Sequence, residues 1–274
     1  MRFDYELVGK IGSMALIRKD EGEIDYNIFS RLGLELRPGM IWVSSGATEI
    51  GRLDYVNRHG AELDGDAQEI KADYAAQGQA ILMMEYRRYI LDRYSVRQLL
   101  VEHTHFNDEE KRAHIKAFLL RCAEQNAIPI VNYNDPVSVD EVRKMELAHL
   151  RESGGSAYEC VDNDETASVI CTLVRAKNLV ILTSVDGIYR DPDDPGTLVE
   201  RVEGRNADDV IENIDALMEH CVGASRSGAN GARAKLDFIK EPVRQGTTVY
   251  IANAKNRISD VLSLNCRSTV FRVR

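Results

Sequence analysis

The sequence contains few cysteines, and their spacing builds neither a zinc site nor a disulfide framework. The five cysteines are odd in number and widely scattered, without a CxxC pair, so a reducing compartment is expected. His103 and His105 lie two residues apart near a strand end, but no third ligand matches them, and no metal-ligating set is predicted. No apolar run approaches the roughly 20 residues of a membrane span. The first residues lack a signal pattern, so we expect a cytoplasmic protein without membrane contact.

Excess positive charge is also lacking. The 274 residues include 35 Lys and Arg against 44 Asp and Glu, a formal net charge of −9, which argues against nucleic acid as a partner. With 44% hydrophobic residues the chain can bury a full core. Short apolar runs alternate with longer helical patterns, which is typical of a mostly parallel sheet covered by helices. We therefore predict a single α/β domain over residues 1–274.

The periodicity of apolar residues predicts the main elements. Seven strands are predicted, at Glu6–Ile11, Met40–Ser44, Arg97–Val101, Pro129–Asn132, Leu179–Leu182, Thr248–Ile251 and Ser268–Arg272. A helix is predicted after Asp108, because Ile115, Phe118, Leu119 and Cys122 recur at the spacing of one helix face. A longer helix and two loops are predicted at residues 67–93, 191–196 and 137–160.

Two short segments point to phosphate chemistry. In the first, Lys10 lies between Gly9 and Gly12 at the end of an apolar strand. It does not match the GxxxxGK[ST] loop; it either offers an ammonium group and backbone N–H groups to phosphate or is a turn with a solvated lysine. In the second, Asp162 and Asn163 open a predicted helix, where an acid positions cations or caps the helix. A cation that binds phosphate and an acid that positions cations are parts of a phosphoryl-transfer site.

Two further turns follow predicted strands. The turn at Ser45, Gly46 and Ala47 lacks the GxSxG spacing of a hydrolase elbow, so it is either an anion-receiving turn or a purely structural one. Asn132 and Asp135 surround the end of a buried strand, where side chains of a parallel sheet face the ligand crevice. Their alternative role is an Asx turn closed by proline.

The C-terminal part repeats this arrangement. An apolar strand leads into a turn that contains Thr183, Ser184 and Gly187, followed by Tyr189. A small-residue loop over residues 224–234 then opens a helix that carries Lys235. Such a loop either folds over a nucleotide and delivers a second cation or leaves Lys235 as a surface lysine.

In this order, the segments resemble the amino acid kinase superfamily, most closely its glutamate 5-kinase type. The resemblance covers nearly the whole chain, through collinear motifs that include VGKIGS, VSSGA, AAQGQ, IPIVNYND, VDNDETAS, LVILTSVDGIY and STVF. It implies a three-layer α/β/α sandwich. It also implies that an acidic small-molecule substrate occupies the half at about residues 1–160, that ATP occupies the half at about 161–274, and that Mg²⁺ lies between them.

The resemblance also implies roles for individual residues. Lys10 and Lys235 would stabilise the transferred phosphoryl group, and Asp162 would organise both lysines. The residues that would contact phosphate or nucleotide are Gly9, Gly12, Ser13, Thr183, Ser184, Gly187, Tyr189, Gly228 and Gly231. Those that would hold the substrate are Ser45, Gly46, Ala47, Asn132, Asp135 and Asn163. The implied reaction is ATP-dependent phosphorylation of the glutamate side-chain carboxylate, as in proline biosynthesis, by a homodimer or homotetramer.

Some features depart from the family pattern. Residues 230–235 read NGARAK where members usually carry Gly-Gly-Met-x-Thr-Lys, and Ser184 stands where an acid is common. The segment 136–161 is longer than expected and charged. Because the chain stops at the last kinase strand, we expect the form without the RNA-modification-type C-terminal domain. Two alternatives stay open: a kinase of another small acceptor, such as UMP, acetylglutamate or a carbamate-like acid, and a non-catalytic nucleotide- or oxyanion-binding relative.

Overall fold

An eight-stranded sheet lies at the centre of the protein. The computed structural model describes residues 3–152, 157–160, 162–191, 193–220 and 231–274. The strands are β1 (Tyr5–Ile11), β2 (Ile17–Arg18), β3 (Glu23–Ile24), β4 (Met40–Ser44), β5 (Ser95–Val101), β6 (Ala127–Tyr133), β7 (Ala176–Thr183), β8 (Arg201–Gly204), β9 (Thr248–Asn253) and β10 (Ser268–Val273). The helices are α1 (Tyr26–Glu35), α2 (Ala47–His59), α3 (Ala67–Tyr89), α4 (His103–Asn107), α5 (Glu109–Glu124), α6 (Asp140–Glu152), α7 (Asn163–Leu173), α8 (Ala207–His220), α9 (Ala232–Phe238), α10 (Lys240–Arg244) and α11 (Ile258–Leu262). None of these helices combines the length and the apolar composition that crossing a bilayer requires.

The strand order places the crevice of the sheet beside β1. The order is β5-β6-β4-β1-β7-β9-β10-β8, and β2 and β3 form a separate hairpin. Neighbours from β5 to β9 are parallel, β10 runs antiparallel to β9, and β8 is parallel to β10. From β1 the chain continues to β4 on one side, whereas β7 later adds on the other side. Because ligands of such sheets bind where the strand order reverses, the carboxyl ends of β1 and β7 border the expected crevice.

Side chains of β1 alternate between two separate cores. Leu7 belongs to the cluster that contains Phe29 of α1, and Val8 belongs to the cluster that contains Ile170 of α7. A helical layer therefore covers each face of the sheet, which confirms the predicted three-layer α/β/α sandwich around a mostly parallel sheet. Since side chains alternate with a period of two along a strand, Lys10 projects to the same face as Val8, where α7 lies.

Helices α2 and α3 pack closely through glycines. A methyl group on Gly51 would lie 1.8 Å from the carbonyl oxygen of Tyr74, and one on Gly78 would lie 1.8 Å from that of Ala47. Only glycine allows the two backbones to approach this closely. The small residues of α3 on this side, which include the buried Ala75, therefore pack within the chain.

The predicted elements are largely confirmed. All seven predicted strands form, and most extend further than predicted. The helix after Asp108 is α5, whose first turn is capped by the Asp108 carboxylate, which accepts a hydrogen bond from the backbone N–H of Lys111 at 2.9 Å. The long helix is α3, which ends at Tyr89 because the next residue, Ile90, is extended with ψ of 137°. The prediction missed β2, β3 and the edge strand β8, which are too short to show a clear alternation.

The segment predicted as a loop over residues 137–160 contains α6, so that prediction was wrong. Its sequence is charged, but it is rich in good helix formers, with acidic residues in the first turn and basic residues in the last. Leu147 is buried, and Glu146 Oε2 lies 2.7 Å from His103 Nε2. The Glu146–His103 pair joins α6 to α4. The predicted exposed loop at 191–196 is confirmed for its described residues, apart from a short 3₁₀ turn at Pro195–Thr197.

Candidate active site

Two lysines from opposite ends of the chain contact one carboxylate. Lys10 lies near the end of β1, Asp164 in the first turn of α7 and Lys235 in α9. Lys10 Nζ is 2.6 Å from Asp164 Oδ1, and Lys235 Nζ contacts Asp164 Oδ2. The side chains of Lys10, Asp164 and Lys235 are 9%, 3% and 20% exposed. Residues from the N-terminal and C-terminal parts of the chain therefore converge on a single buried acid.

The charges of this group favour an anionic ligand. Burial raises the pKa of Asp164, but the nearby ammonium groups of Lys10 and Lys235 outweigh burial and hold its pKa below the ordinary value. The carboxylate is therefore ionised at neutral pH. Lys10, Lys235 and Asp164 together carry one net positive charge, and a phosphate beside the two ammonium groups would be attracted to them. The Asp162 carboxylate also lines the cleft, so the four charged lining residues sum to zero.

The position of Asp162 corrects its predicted role. Its Oδ1 accepts hydrogen bonds from the backbone N–H groups of Asp164 at 2.8 Å and Glu165 at 3.0 Å, which makes it the N-cap of α7. The acid between the lysines is Asp164, two residues further on. The sequence did contain a signal for Asp164, which the prediction missed. The first acid before a helix usually caps it, so the next acid can face neighbouring elements.

The turn after β1 lies beside the Lys10 ammonium. The backbone N–H of Gly12 donates to the carbonyl oxygen of Leu182 at 3.1 Å, and a 3₁₀ turn begins at Ser13. A methyl group on Gly12 would lie 3.8 Å from Lys10 Nζ, so this glycine is next to the cation. Gly9 does not belong to the turn, which corrects the prediction.

Gly9 instead gives space to an aromatic ring. It lies within β1, and a methyl group there would come 2.0 Å from Cζ3 of Trp42. The bare Cα of Gly9 lets the indole ring lie flat against the central strand. Its role is therefore in core packing on the face of the sheet opposite Lys10.

Polar side chains at the ends of β4 and β6 form a hydrogen-bonded group. Asn163 Nδ2 donates to Ser45 Oγ at 3.1 Å and to Asn132 Oδ1 at 2.8 Å. Gly46 follows Ser45 with φ of 107°, a conformation that favours glycine, and α2 begins at Ala47 without a side-chain cap. The free N–H groups of that helix start favour negative charge nearby.

Asp135 is placed at the edge of this group. It begins a 3₁₀ turn after β6, and its Oδ1 lies 2.8 Å from Nζ of Lys71 on α3. The predicted substrate residue Asp135 is therefore paired with a lysine in the structure.

The predicted nucleotide residues separate into two groups. Thr183 and Ser184 follow β7 and line the crevice with the two lysines. Gly187 instead packs against β10, where a methyl group would meet Thr269 Oγ1 at 2.4 Å, and the Tyr189 hydroxyl donates to Asp186 at 3.3 Å. Gly231 is the residue before α9. Gly228 lies outside the residues that the structure describes.

One cleft brings most of these residues together. Its lining residues are Lys10, Gly12, Ser13, Met14, Ala15, Ser45, Asp162, Asn163, Asp164, Leu182, Thr183, Ser184 and Lys235. Met14, Ala15 and Leu182 were not predicted, although they adjoin predicted turns. Asn132 contacts the cleft through Asn163. The histidines considered as metal ligands have other partners, since His103 contacts Glu146 and His105 Nδ1 accepts the backbone N–H of Glu102.

Comparison with known proteins identifies the family. A sequence profile described as "Amino acid kinase family" matches residues 7–253. The chain belongs to the amino acid kinase family. Amino acid kinases transfer phosphoryl groups to small molecules, and this amino acid kinase is accordingly a small-molecule phosphotransferase.

Its relatives include proteins named glutamate 5-kinase. One from Alkaliphilus metalliredigens is 29% identical, with 97% of this chain aligned to 95% of the relative. Another from Bacteroides thetaiotaomicron is 30% identical, with 92% of this chain aligned, but the chain spans only 65% of that longer relative.

Solved structures confirm the fold of this amino acid kinase. Carbamate kinase from Giardia lamblia, bound to AMP-PNP, superposes with a TM-score of 0.61 at 13% identity, covering 98% of both chains. UMP kinase from Ureaplasma parvum superposes with a TM-score of 0.55 at 12% identity, also covering 98% of both chains. At these identities the likeness shows the shared architecture alone.

Proposed function

We propose that this amino acid kinase transfers the γ-phosphoryl group of ATP to the side-chain carboxylate of glutamate, which yields an acyl phosphate and ADP as in proline biosynthesis. The observation that carries the proposal is the meeting of Lys10 and Lys235 at Asp164, in the same cleft as Ser45 and Asn163. The names of the relatives support glutamate as the acceptor.

The chemistry requires charge neutralisation and positioning rather than a base. A glutamate side chain has an ordinary pKa of about 4.3 and is a carboxylate nucleophile at neutral pH. One carboxylate oxygen attacks the γ-phosphorus, and the bond to the β–γ bridging oxygen breaks, so that its electron pair leaves with ADP. Lys10 and Lys235 would stabilise the negative charge on the transferred group. Asp164 would hold both ammonium groups in place.

The donor set of the cleft fits nucleotide phosphates with Mg²⁺ attached to them. Among the described residues, no group of three or more His, Cys, Asp and Glu side chains is arranged to hold a metal ion, and Asp164 is occupied by two lysines. Mg²⁺ keeps several waters and commonly binds through substrate phosphates. The ion would supply further charge neutralisation on the triphosphate.

We propose two functional halves that share the sheet. Ser45, Asn132 and Asn163 would receive the acceptor at the ends of β4 and β6, mainly from residues 1–160. Thr183, Ser184 and Lys235 would border the nucleotide in residues 161–274. The position of the cleft at the crevice between β1 and β7 supports this division, because residues from both halves line it.

Helix α6 favours a second candidate, another small acid as acceptor in the same class. It follows Asp135 directly in sequence, and its Arg143 side chain is only 11% exposed, 2.8 Å from Asp140 Oδ1. Burial raises the pKa of the Tyr133 hydroxyl at the end of β6, and the charge of Arg143 works against that rise. An additional cation near this strand end suits an acceptor with more negative charge than glutamate.

A screen of acceptors tests the proposed function. ADP release is measured with ATP, Mg²⁺ and one of glutamate, aspartate, acetylglutamate, carbamate or UMP, and acyl phosphate is trapped as a hydroxamate with hydroxylamine. We expect the highest kcat/KM and hydroxamate formation with glutamate. A preference for another acceptor would replace glutamate. Nucleotide binding without ADP release on any acceptor would indicate the non-catalytic relative.

A homo-oligomer, as a dimer or tetramer, stays a prediction. The small residues of α3 that face α2 are used within the chain, so this side of α3 is not available to a second copy. Light scattering on the purified protein tests the subunit count directly.

A further inference from the structure

A buried glutamine stands behind the acceptor residues. Gln79 lies on α3 and is 9% exposed, and its Oε1 accepts a hydrogen bond from Asn132 Nδ2 at 2.8 Å. Asn132 is 2% exposed, and its Oδ1 accepts from Asn163 Nδ2 at 2.8 Å. A chain of three amides therefore connects α3 to the wall of the cleft, and Gln79 is the member furthest from it.

A backbone group fixes the direction of these hydrogen bonds. The N–H of Tyr133 can only donate, and it points to Asn132 Oδ1 at 2.8 Å and Asn163 Oδ1 at 3.2 Å. The pairing of β6 with β4 stops at Val131 opposite Val43, which leaves this N–H to the side chains. With both amide oxygens turned to the Tyr133 N–H, the Asn132 nitrogen must face Gln79, and the Asn163 nitrogen must face Ser45.

With the hydrogen bonds in this direction, the Ser45 hydroxyl keeps one hydrogen that it can donate to a ligand. Asn163 Nδ2 donates to Ser45 Oγ at 3.1 Å, and a hydroxyl group that accepts still has its own O–H to donate. Ser45 lines the cleft. Its hydrogen is therefore available to an oxygen of an anionic acceptor such as a carboxylate.

Gln79 completes the chain with its oxygen alone. Its Nε2 is buried and has no hydrogen-bond partner among the described residues, although an unmade hydrogen bond of a buried donor is unfavourable. Turning the amide over would place that nitrogen against the donating nitrogen of Asn132. The unpartnered Nε2 is thus the consequence of presenting Oε1 to Asn132.

We propose that Gln79 is a positioning residue of the acceptor site, which acts through Asn132 and Asn163 to keep the Ser45 hydroxyl aimed at the acceptor carboxylate. The proposal rests on the proposed function, since it concerns the acceptor side of the same cleft. Gln79 on α3 would therefore contribute to acceptor specificity, although it does not line the cleft itself.

Substitution of Gln79 separates acceptor binding from nucleotide binding. Gln79→Met keeps an unbranched side chain of similar size and removes the oxygen. We expect its KM for glutamate to rise about tenfold, the effect of one lost hydrogen bond, with KM for ATP within about twofold of wild type.

The matched control is Gln77→Met on the same helix. Gln77 Nε2 donates to Asp54 Oδ2 at 2.7 Å, outside the amide chain, and neither KM should change. In an Asn132→Ala background, Gln79→Met should alter KM for glutamate less than about twofold, because the pair acts as a unit. Gln79→Ala removes the same oxygen and serves as a second variant if Gln79→Met does not fold.

Two results would overturn the role of Gln79 in an active enzyme. These are equal rises in both KM values, and additive effects of Gln79→Met and Asn132→Ala. Failure of the wild-type protein to release ADP with glutamate is a different result, because it overturns the proposed function itself.

Discussion

At the scale of single residues, the site depends on a buried acid that holds two cations. Lys10 and Lys235 repel each other, and Asp164 between them removes that repulsion and orients both ammonium groups toward the same cleft. The same acid neutralises only one of the two charges. The two ammonium groups are what a triphosphate would meet, so the acid that holds both lysines in place also prepares the site.

Removal of the Lys10 ammonium should reduce turnover and leave the fold intact. Lys10→Ala is expected to lower kcat about 10²–10³-fold, the usual effect of removing one preorganised charge donor. Steady-state ADP release measures this, and circular dichroism checks the fold. Lys240→Ala is the control, because Lys240 pairs with Asp215 and Asp237 away from the cleft and its loss should leave kcat unchanged. An unchanged kcat in Lys10→Ala would remove Lys10 from the mechanism.

The two acids at the start of α7 should respond differently to amide substitution. Asp164→Asn leaves two ammonium groups without a counter-charge and is expected to lower the free energy of unfolding by about 3 kcal/mol. Asp162→Asn keeps an N-cap side chain, so the loss should be below about 1 kcal/mol. Urea denaturation of both variants measures the difference. A larger loss of unfolding free energy in Asp162→Asn than in Asp164→Asn would indicate that Asp162, not Asp164, holds the two lysines in place.

At the scale of elements, close helix packing supports the side of the cleft that carries Ser45. Helix α2 begins at Ala47, directly after the turn that carries Ser45, and α3 carries Gln79 one residue after Gly78. The glycine contact between α2 and α3 therefore sets the distance between these two parts of the site. The small residues of α3 at this contact therefore support the fold within the chain.

A methyl group at this contact should reverse the usual effect of alanine in a helix. Helix propensity alone predicts that Gly78→Ala stabilises the protein by about 1 kcal/mol. The contact with the Ala47 carbonyl oxygen instead predicts a loss of at least about 2 kcal/mol through overpacking. Thermal or urea unfolding gives the sign. Ala76→Val adds bulk at an exposed position of α3 and should change stability by less than about 1 kcal/mol; a stabilised Gly78→Ala would contradict the packing.

At the scale of the whole molecule, the sheet brings the two ends of the sequence to one place. The parallel pairing of β1 with β7, at Lys10 opposite Ile181, sets the level of the cleft. Helices α7 and α9 then deliver Asp164 and Lys235 from the face that Lys10 points to. Global stability and the catalytic arrangement are therefore coupled through the same ion pairs.

This coupling predicts that the stability difference between wild type and Asp164→Asn changes with pH in the acid range. The pKa of Asp164 is below its unfolded value of 3.8, so the folded state binds its proton less readily than the unfolded state. The contribution of Asp164 is therefore complete above pH 3.8 and is lost as pH falls through the lower folded pKa. The difference in unfolding free energy between wild type and Asp164→Asn should be constant above that pH and shrink below it.

Urea midpoints of both proteins across the acid range measure this difference. The subtraction cancels the other carboxylates that titrate in the same range, because both proteins contain them. A difference that stays constant down to low pH would show that folding does not shift the pKa of Asp164, and would contradict the ion pairs with both lysines.

Local patterns in the sequence determined the class of the fold, the strands and most members of the site. Apolar runs and their turns are properties of neighbouring residues, so β1 with Lys10, β4 with Ser45 and β6 with Asn132 could be predicted without coordinates. Helix α6 was not predicted, because its many charged residues suggested an exposed loop although most of them are also good helix formers. Composition was equally ambiguous for α3, whose glycine suits either a partner or an internal neighbour.

Only the tertiary structure decided which of two acids joins the lysines, that Gly9 leaves room for the Trp42 ring, and that Gln79 lies behind Asn132 and Asn163. Each of these is a contact between residues far apart in sequence. Their partners depend on which strands pair and which face a helix presents, and those follow from the packing of the whole sheet rather than from any single segment.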